Sequence, residues 1–190
     1  MDKTTATHKK LYTLAEFEQI AALPENQDRL LELINGEIVE KVPTEEHGVI
    51  ALWIATFLNM YLLDNPIGLV SAEANHRVKG DNQNARLPDI SFIKGKRDPV
   101  KKGSVSRMPD LAVEVKSPDD KPPELHEKAN YYLKNGSQVV WVVYPEKLRI
   151  EVHRQGVEVQ VLGMEDTLDG GDLLPGFTLP VKQIFRKITD

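Results

Sequence analysis

The sequence predicts an α/β sandwich, a mixed β-sheet flanked by helices, on three observations. Helical and strand-like periods alternate along the chain. The run Val139-Val140-Trp141-Val142-Val143-Tyr144 is apolar without alternation, as in a strand buried on both faces and central in its sheet. Turn signals at Asn35-Gly36 and at Arg154-Gln155-Gly156 mark an N-terminal and a C-terminal hairpin. With 190 residues, 41% hydrophobic and 28% charged, the chain can bury one sizeable core, so residues 1–190 are expected to form one domain with 1–10 as a polar tail.

The elements follow in order. Thr13 with Glu16 three residues on is a capping-box pattern, which predicts a helix from Leu14 to Leu23 stopped by Pro24. Residues 29–42 read as two strands about Asn35-Gly36, the pair that best tolerates the positive φ angles of a tight hairpin. Thr44 can cap a helix whose Ile50, Trp53, Ile54, Phe57, Leu58, Tyr61 and Leu62 recur at helical spacing to about residue 63. Leu52, Ala55 and Met60 widen that stripe, so cover on more than one side is expected. Strands are predicted over 68–73, 75–79, 88–93 and 110–116. A helix begun by Pro122-Pro123 and ended by Asn135-Gly136 precedes the apolar run, strands over 148–153 and 157–162 form the second hairpin, and a tail through Leu174-Pro175-Gly176-Phe177 wraps back over the core.

Composition narrows the chemistry. With no cysteine there are no disulfides, thiolate zinc sites or cysteine nucleophiles, any metal must sit on oxygen or imidazole, and a reducing, cytoplasmic setting is expected. The polar start MDKTTATHKK is no signal segment, and Thr56 and Asn59 interrupt the longest apolar stretch, so no membrane partner is expected. A net charge of −5 argues against non-specific coating of nucleic acid but says nothing of local patches. One patch exists between Lys94 and Arg107, where Lys94, Lys96, Arg97, Lys101, Lys102 and Arg107 face one acid, Asp98. As the link between two strands that carry acids, this loop reads either as a solubilising segment or as a source of phosphate contacts. His8, His76, His126 and His153 show no zinc spacing.

Three short segments converge on a site: Pro88-Asp89, Glu114-Val115-Lys116 and Ser117-Pro118. Strand alternation turns Glu114 and Lys116 to one side and Val113 and Val115 to the core, while Pro118 ends the ladder close by. If Asp89 lies on the neighbouring strand, it and Glu114 can hold a hard divalent cation, with the Val115 backbone carbonyl and waters completing an oxygen shell. Taken alone, acids and a lysine on a half-solvated strand need no catalytic explanation.

This arrangement resembles the PD-(D/E)XK nuclease superfamily over residues 47–144. The wider pattern, Leu31-Glu32-Leu33-Ile34-Asn35-Gly36-Glu37-Ile38-Val39, His47, Glu114-Val115-Lys116-Ser117-Pro118 and Leu174-Pro175-Gly176-Phe177, is similar to the Uma-type restriction-endonuclease-like proteins of cyanobacteria. The resemblance implies a restriction-endonuclease-like fold, a mixed sheet with an αβββαβ core and hairpins at both ends. It also implies a Mg²⁺- or Mn²⁺-dependent phosphodiesterase site with Asp89 and Glu114 as ligands and Lys116 positioning the attacking water. Many relatives place their lysine on the following helix, which makes Lys128 the alternative; strand geometry favours Lys116. Glu32 matches a recurrent acidic position. His47 reads as a phosphate or metal contact or as a surface residue beside Glu45 and Glu46. The expected function is an endonuclease on DNA, a hydrolase, and the broad apolar surface of the helix from Ile50 to Leu62 predicts a homodimer that uses part of it or its neighbouring strands. The alternative is a non-catalytic nucleic-acid-binding or interaction module on a nuclease fold. Two gathered carboxylates repel without a cation, so Glu114→Gln is expected to stabilise the metal-free protein slightly.

Overall fold

The computed structural model describes residues 10–185, so the expected tail, 1–10, lies outside the described residues except for Lys10. The first helix, α1 (Leu14–Ala21), has the capping box its sequence predicts: Thr13 Oγ1 accepts the Glu16 N–H, and the Glu16 carboxylate accepts the Thr13 N–H. Next, β1 (Leu30–Ile34) and β2 (Glu37–Lys41) pair antiparallel with Ile34 opposite Glu37. Asn35 and Gly36 alone make the turn, at φ of 50° and 83°, the doubly positive pair that matches the twist of a two-residue hairpin. Leu33 exchanges two backbone hydrogen bonds with Ala85, 2.8 and 2.9 Å, and so moors this hairpin to the segment leading to Asp89.

Thr44 accepts the His47 N–H and caps α2 (Glu45–Asp64). His47, Ile50, Ile54 and Leu58, one residue per turn, are buried, and Tyr61 and Phe57 are partly covered at the flanks. The expected wider cover does not extend to the outer face, where Leu52, Met60 and Leu63 stay exposed. By length and composition α2 could cross a membrane; one side of it, Ile50, Ile54 and Leu58, is buried in the core cluster with the sheet.

The main sheet holds β3 (Gly68–Ala72), β4 (Ile90–Lys94), β5 (Leu111–Val115), β6 (Val139–Tyr144), β7 (Arg149–Arg154) and β8 (Gln160–Leu162), ordered as numbered. Every neighbouring pair is antiparallel except β5 with β6, whose parallel pairing needs the crossover made by α3 (Pro122–Lys134). The order α2, β3, β4, β5, α3, β6 is the predicted αβββαβ core, extended by the C-terminal hairpin β7–β8. Alternation assigns the faces. Leu111, Val113, Val115, Val139, Trp141, Val143, Ile150 and Val152 pack toward α2 and the C-terminal tail. Ala112, Val140, Val142 and Tyr144 pack under Leu125, Ala129, Tyr132 and Leu133 of α3.

The tail behaves as its apolar pattern predicts: β9 (Thr167–Asp169) pairs with β10 (Thr178–Pro180), and α4 (Val181–Phe185) follows. Phe177 stacks on Trp141 with centroids 6.0 Å apart, while Leu174, Leu179 and Ile184 join the core. The predicted strand over 75–79 does not form. His76 makes only single bridges, antiparallel to Arg86 and parallel to Val105. Its fully buried imidazole is held at both nitrogens, 2.9 Å from the Arg107 carbonyl and 3.0 Å from Ser91 Oγ. A buried polar side chain, not a ladder, fixes this segment.

Candidate active site

A cleft of about 720 Å³ opens between the β1–β2 hairpin, the start of α2, the Asp89 end of the sheet and α3. The hairpin register puts Leu30, Glu32 and Ile34 opposite Lys41, Val39 and Glu37, and this whole face lines the cleft, while Leu31, Leu33 and Ile38 pack with Phe17 behind it. Asp89 immediately precedes β4 and Glu114 lies near the end of the antiparallel β5, so both acids come to the same end of the sheet.

Asp89 Oδ2 accepts the Val115 N–H at 2.7 Å and lies 3.0 Å from His47 Nε2. Its Oδ1 takes the Lys41 ammonium, which also donates to the Leu87 carbonyl at 3.1 Å and to Glu114 Oε2 at 3.4 Å. Glu114 Oε2 accepts from Lys128 Nζ at 3.0 Å, and Glu114 Oε1 accepts the Tyr132 hydroxyl at 2.7 Å. Lys128 Nζ is 3.4 Å from Glu32 Oε1, and Glu32 Oε2 accepts the Leu87 N–H at 3.4 Å. Arg86 stacks over Tyr131, its Nη1 is 3.9 Å from Glu32 Oε2, and its buried Nε has no hydrogen-bond partner. Three buried carboxylates thus face Lys41, Lys128 and Arg86 in one connected network.

The two central acids are driven apart. Burial pushes the Asp89 carboxyl up, but the Lys41 charge and the His47 contact outweigh it and hold Asp89 well below the ordinary range. Burial also pushes Glu114 up; there Lys128 and Lys41 oppose it, Asp89 and Glu32 reinforce it, and the balance leaves Glu114 raised. Burial and the neighbouring Glu114 raise Tyr132 well above the usual phenol range, so it stays a donor to that carboxylate.

The structure brings Asp89, Glu114, Glu32 and Lys128 together. Lys116 is elsewhere: its ammonium donates to Glu146 at 3.2 Å and to the Ser117 carbonyl at 3.1 Å, and it does not line the cleft. Lys116 follows the last residue of β5, where alternation no longer sets the direction of a long side chain, and with its N–H on the Val143 carbonyl its ammonium reaches Glu146 in the turn after β6 instead of Glu114. The surface reading of His47 is also overturned, because its ring is 5% exposed and rests on Asp89. Nor does the basic loop reach the cleft. It leaves β4 at Lys94 and enters β5 at Leu111, the end of the strands remote from Asp89 by about 16 Å at roughly 3.3 Å per residue, and none of its six basic residues lines the cleft. Lys41 is the residue that sequence reasoning missed. The two-residue turn fixes the register, and that register carries Lys41 onto the Glu32 face.

A family model described as "Uma2: Putative restriction endonuclease" matches residues 14–182. The crystal structure of "a putative nuclease belonging to DUF820" from Anabaena variabilis superposes with a TM-score of 0.76 and 25% identity, covering 92% of this chain and 97% of that one. No curated protein matches the chain.

Proposed function

The chain belongs to the Uma2 family of restriction-endonuclease-like proteins, and on that premise we propose that it is a DNA endonuclease that depends on Mg²⁺ or Mn²⁺. The supporting observation is a cation already shared by the two motif acids: the Lys41 ammonium touches both Asp89 and Glu114. A position that accepts one positive charge between two buried carboxylates fits a hard divalent ion, with Asp89, Glu114 and the Val115 carbonyl as its protein ligands. Such an ion would acidify a water and neutralise charge on a phosphodiester.

The chain's own groups do the rest. The Val115 N–H, His47 and Lys41 keep Asp89 ionised and fix its orientation. Tyr132 and Lys128 hold Glu114 from α3, and Glu32 anchors Lys128 from the hairpin. Lys128 Nζ, between two acids, takes the water-orienting role that the resemblance first assigned to Lys116. Arg86 and Lys41, which both line the cleft, offer positive charge to a phosphate entering it. No protein nucleophile is required, and hydrolysis uses an activated water. A homodimer over the outer face of α2 completes the proposal, since Leu52, Met60 and Leu63 form its exposed apolar surface.

Cleavage of plasmid, linear duplex, single-stranded DNA and RNA, each with and without Mg²⁺ or Mn²⁺, tests the reading. Metal-dependent cutting of duplex DNA, lowered by about 10²-fold or more in Asp89→Asn, is expected. Metal-independent cutting, or full activity in Asp89→Asn, contradicts it.

A further inference from the structure

Under the opposite flank of α3 lies a second constellation that the nuclease reading does not use. His126 on α3 faces Glu151 and His153, two residues apart on β7 and therefore on one side of that strand. His126 Nε2 is 2.9 Å from Glu151 Oε2 and His153 Nε2 is 3.4 Å from the same oxygen, and all three ligand atoms lie within 4.8 Å of one another. The His153 side chain is 7% exposed, and its Nε2, turned into this cluster, has no hydrogen-bond partner. A buried imidazole nitrogen held by no more than a 3.4 Å contact to Glu151 Oε2 is under-satisfied, and an occupant that ligates it offsets that cost.

We infer that His126, Glu151 and His153 form a binding site for a borderline transition-metal ion such as Zn²⁺, separate from the oxygen site at Asp89 and Glu114. Ligand atoms about 2.0–2.2 Å from one ion sit roughly 2.9–3.5 Å from each other, in octahedral to tetrahedral order; the two edges to Glu151 fall in that range, and the third, between the imidazoles, lies within 4.8 Å, so an ion would draw the half-exposed His126 ring inward. Two imidazoles and a carboxylate select Zn²⁺, Co²⁺ or Ni²⁺ over Mg²⁺, which takes oxygen. The surroundings are those of a held ligand set. Arg149 Nη2 donates to Glu151 Oε1 at 2.8 Å, leaving Oε2 to face the histidines. The Tyr144 hydroxyl lies 3.1 Å from that Oε2 and 3.2 Å from His126 Nε2, a polar neighbour for an open coordination position.

The site's place in the sheet gives it a consequence. Glu114, Val142 and Glu151 stand in one row across β5, β6 and β7, so the two sites are about 10 Å apart at two strand spacings. Helix α3 covers both, with Lys128 and Tyr132 over Glu114 and His126 over Glu151. An ion bound between α3 and β7 fastens the helix that supplies Lys128 to the nuclease cleft.

The experiment titrates the full chain with Co²⁺, read by its visible absorption, and with Zn²⁺, read by thermal melting. The parent and Asp89→Asn are expected to bind one Co²⁺ with the intense bands of an imidazole-ligated ion of low coordination number, and Zn²⁺ raises their Tm. His126→Ala, which removes a half-exposed side chain and leaves the core intact, removes the intense Co²⁺ bands or weakens the binding they report by at least ~10-fold, and in the Asp89→Asn background, where the oxygen site has lost a ligand, it abolishes the Zn²⁺ shift. His153→Gln does the same where it folds. Unchanged affinity and bands in His126→Ala, or loss of both in Asp89→Asn, overturns the assignment, as does a parent that binds neither metal.

Discussion

Asp89 and Glu114 share a lysine and yet titrate in opposite directions, which makes their substitutions opposite in sign. Ionised Asp89 is favoured by Lys41 and His47, so its stabilising contribution is full above the ordinary carboxylate range and is lost as pH falls toward its lowered value. Asp89→Asn should therefore cost about 2–4 kcal/mol at neutral pH, and the deficit should close in acid. The raised Glu114 contributes stability below the ordinary range that is lost as pH rises through its folded value. Metal-free Glu114→Gln should then melt roughly 2–4 °C above the parent at neutral pH, about 1 kcal/mol at this size, with the gap shrinking toward acid. Urea or thermal melts at several pH values check both; parallel curves for the two variants would refute this account of the site. For the lysines, Lys128→Ala should reduce cleavage by about 10²–10³-fold and Lys116→Ala by far less, and steady-state rates in the reverse order would return the role to Lys116. The acids were legible because a strand's period fixes which side a residue faces. The working lysine was not: at the end of β5 a side's direction does not say whether an ammonium reaches Glu114 or Glu146.

At the scale of elements, the β1–β2 hairpin does more than local sequence implies, because one face of it supplies both Glu32 and Lys41 to the cleft. Its turn is correspondingly sensitive. A Cβ at Gly36 would be forced into positive φ and would stand 3.1 Å from Leu11 Cβ and 3.3 Å from the Tyr12 carbonyl oxygen. Gly36→Ala should cost roughly 1–2 kcal/mol in urea unfolding, and a neutral result would show that the turn bears no such strain. The basic loop belongs to the other end of β4 and β5. Neutralising Lys96, Arg97 and Lys101 should leave the salt dependence of DNA binding unchanged, whereas a slope lower by about 2–3 would place those residues on phosphates. Capping boxes, the Asn35-Gly36 turn and the α3 boundaries could all be read locally, since each is decided by a few adjacent residues. Residues 75–79 could not. Their strand-like character was overridden by the buried His76, whose partners, Ser91 and Arg107, are 15 and 31 residues away.

For the whole molecule, the order helix, strands, helix, strand and the burial of β6 followed from the change of period and the unbroken Val139–Tyr144 run, and the αβββαβ count from the family resemblance, while the joining of Glu32, Lys41, His47, Asp89, Glu114 and Lys128 required pairings between distant segments. Glu114 with Glu151 in one sheet row, and hence the neighbouring His126 cluster, likewise depends on register that spacing does not encode. The proposed dimer is checked by light scattering across concentration: a parent dimer that Leu52→Lys with Met60→Lys converts to monomer is expected, and a concentration-independent parent monomer rejects it. The central claim, that Asp89 and Glu114 hold a hard divalent ion for phosphodiester hydrolysis, is tested most directly by melting curves with and without Mg²⁺. A ligand that binds only the folded state raises its stability according to concentration and affinity, by about 2.7 kcal/mol at 100 times Kd. The account predicts a Mg²⁺-induced rise in Tm for the parent and for His126→Ala and none for Glu114→Gln; equal rises in the parent and Glu114→Gln would contradict it.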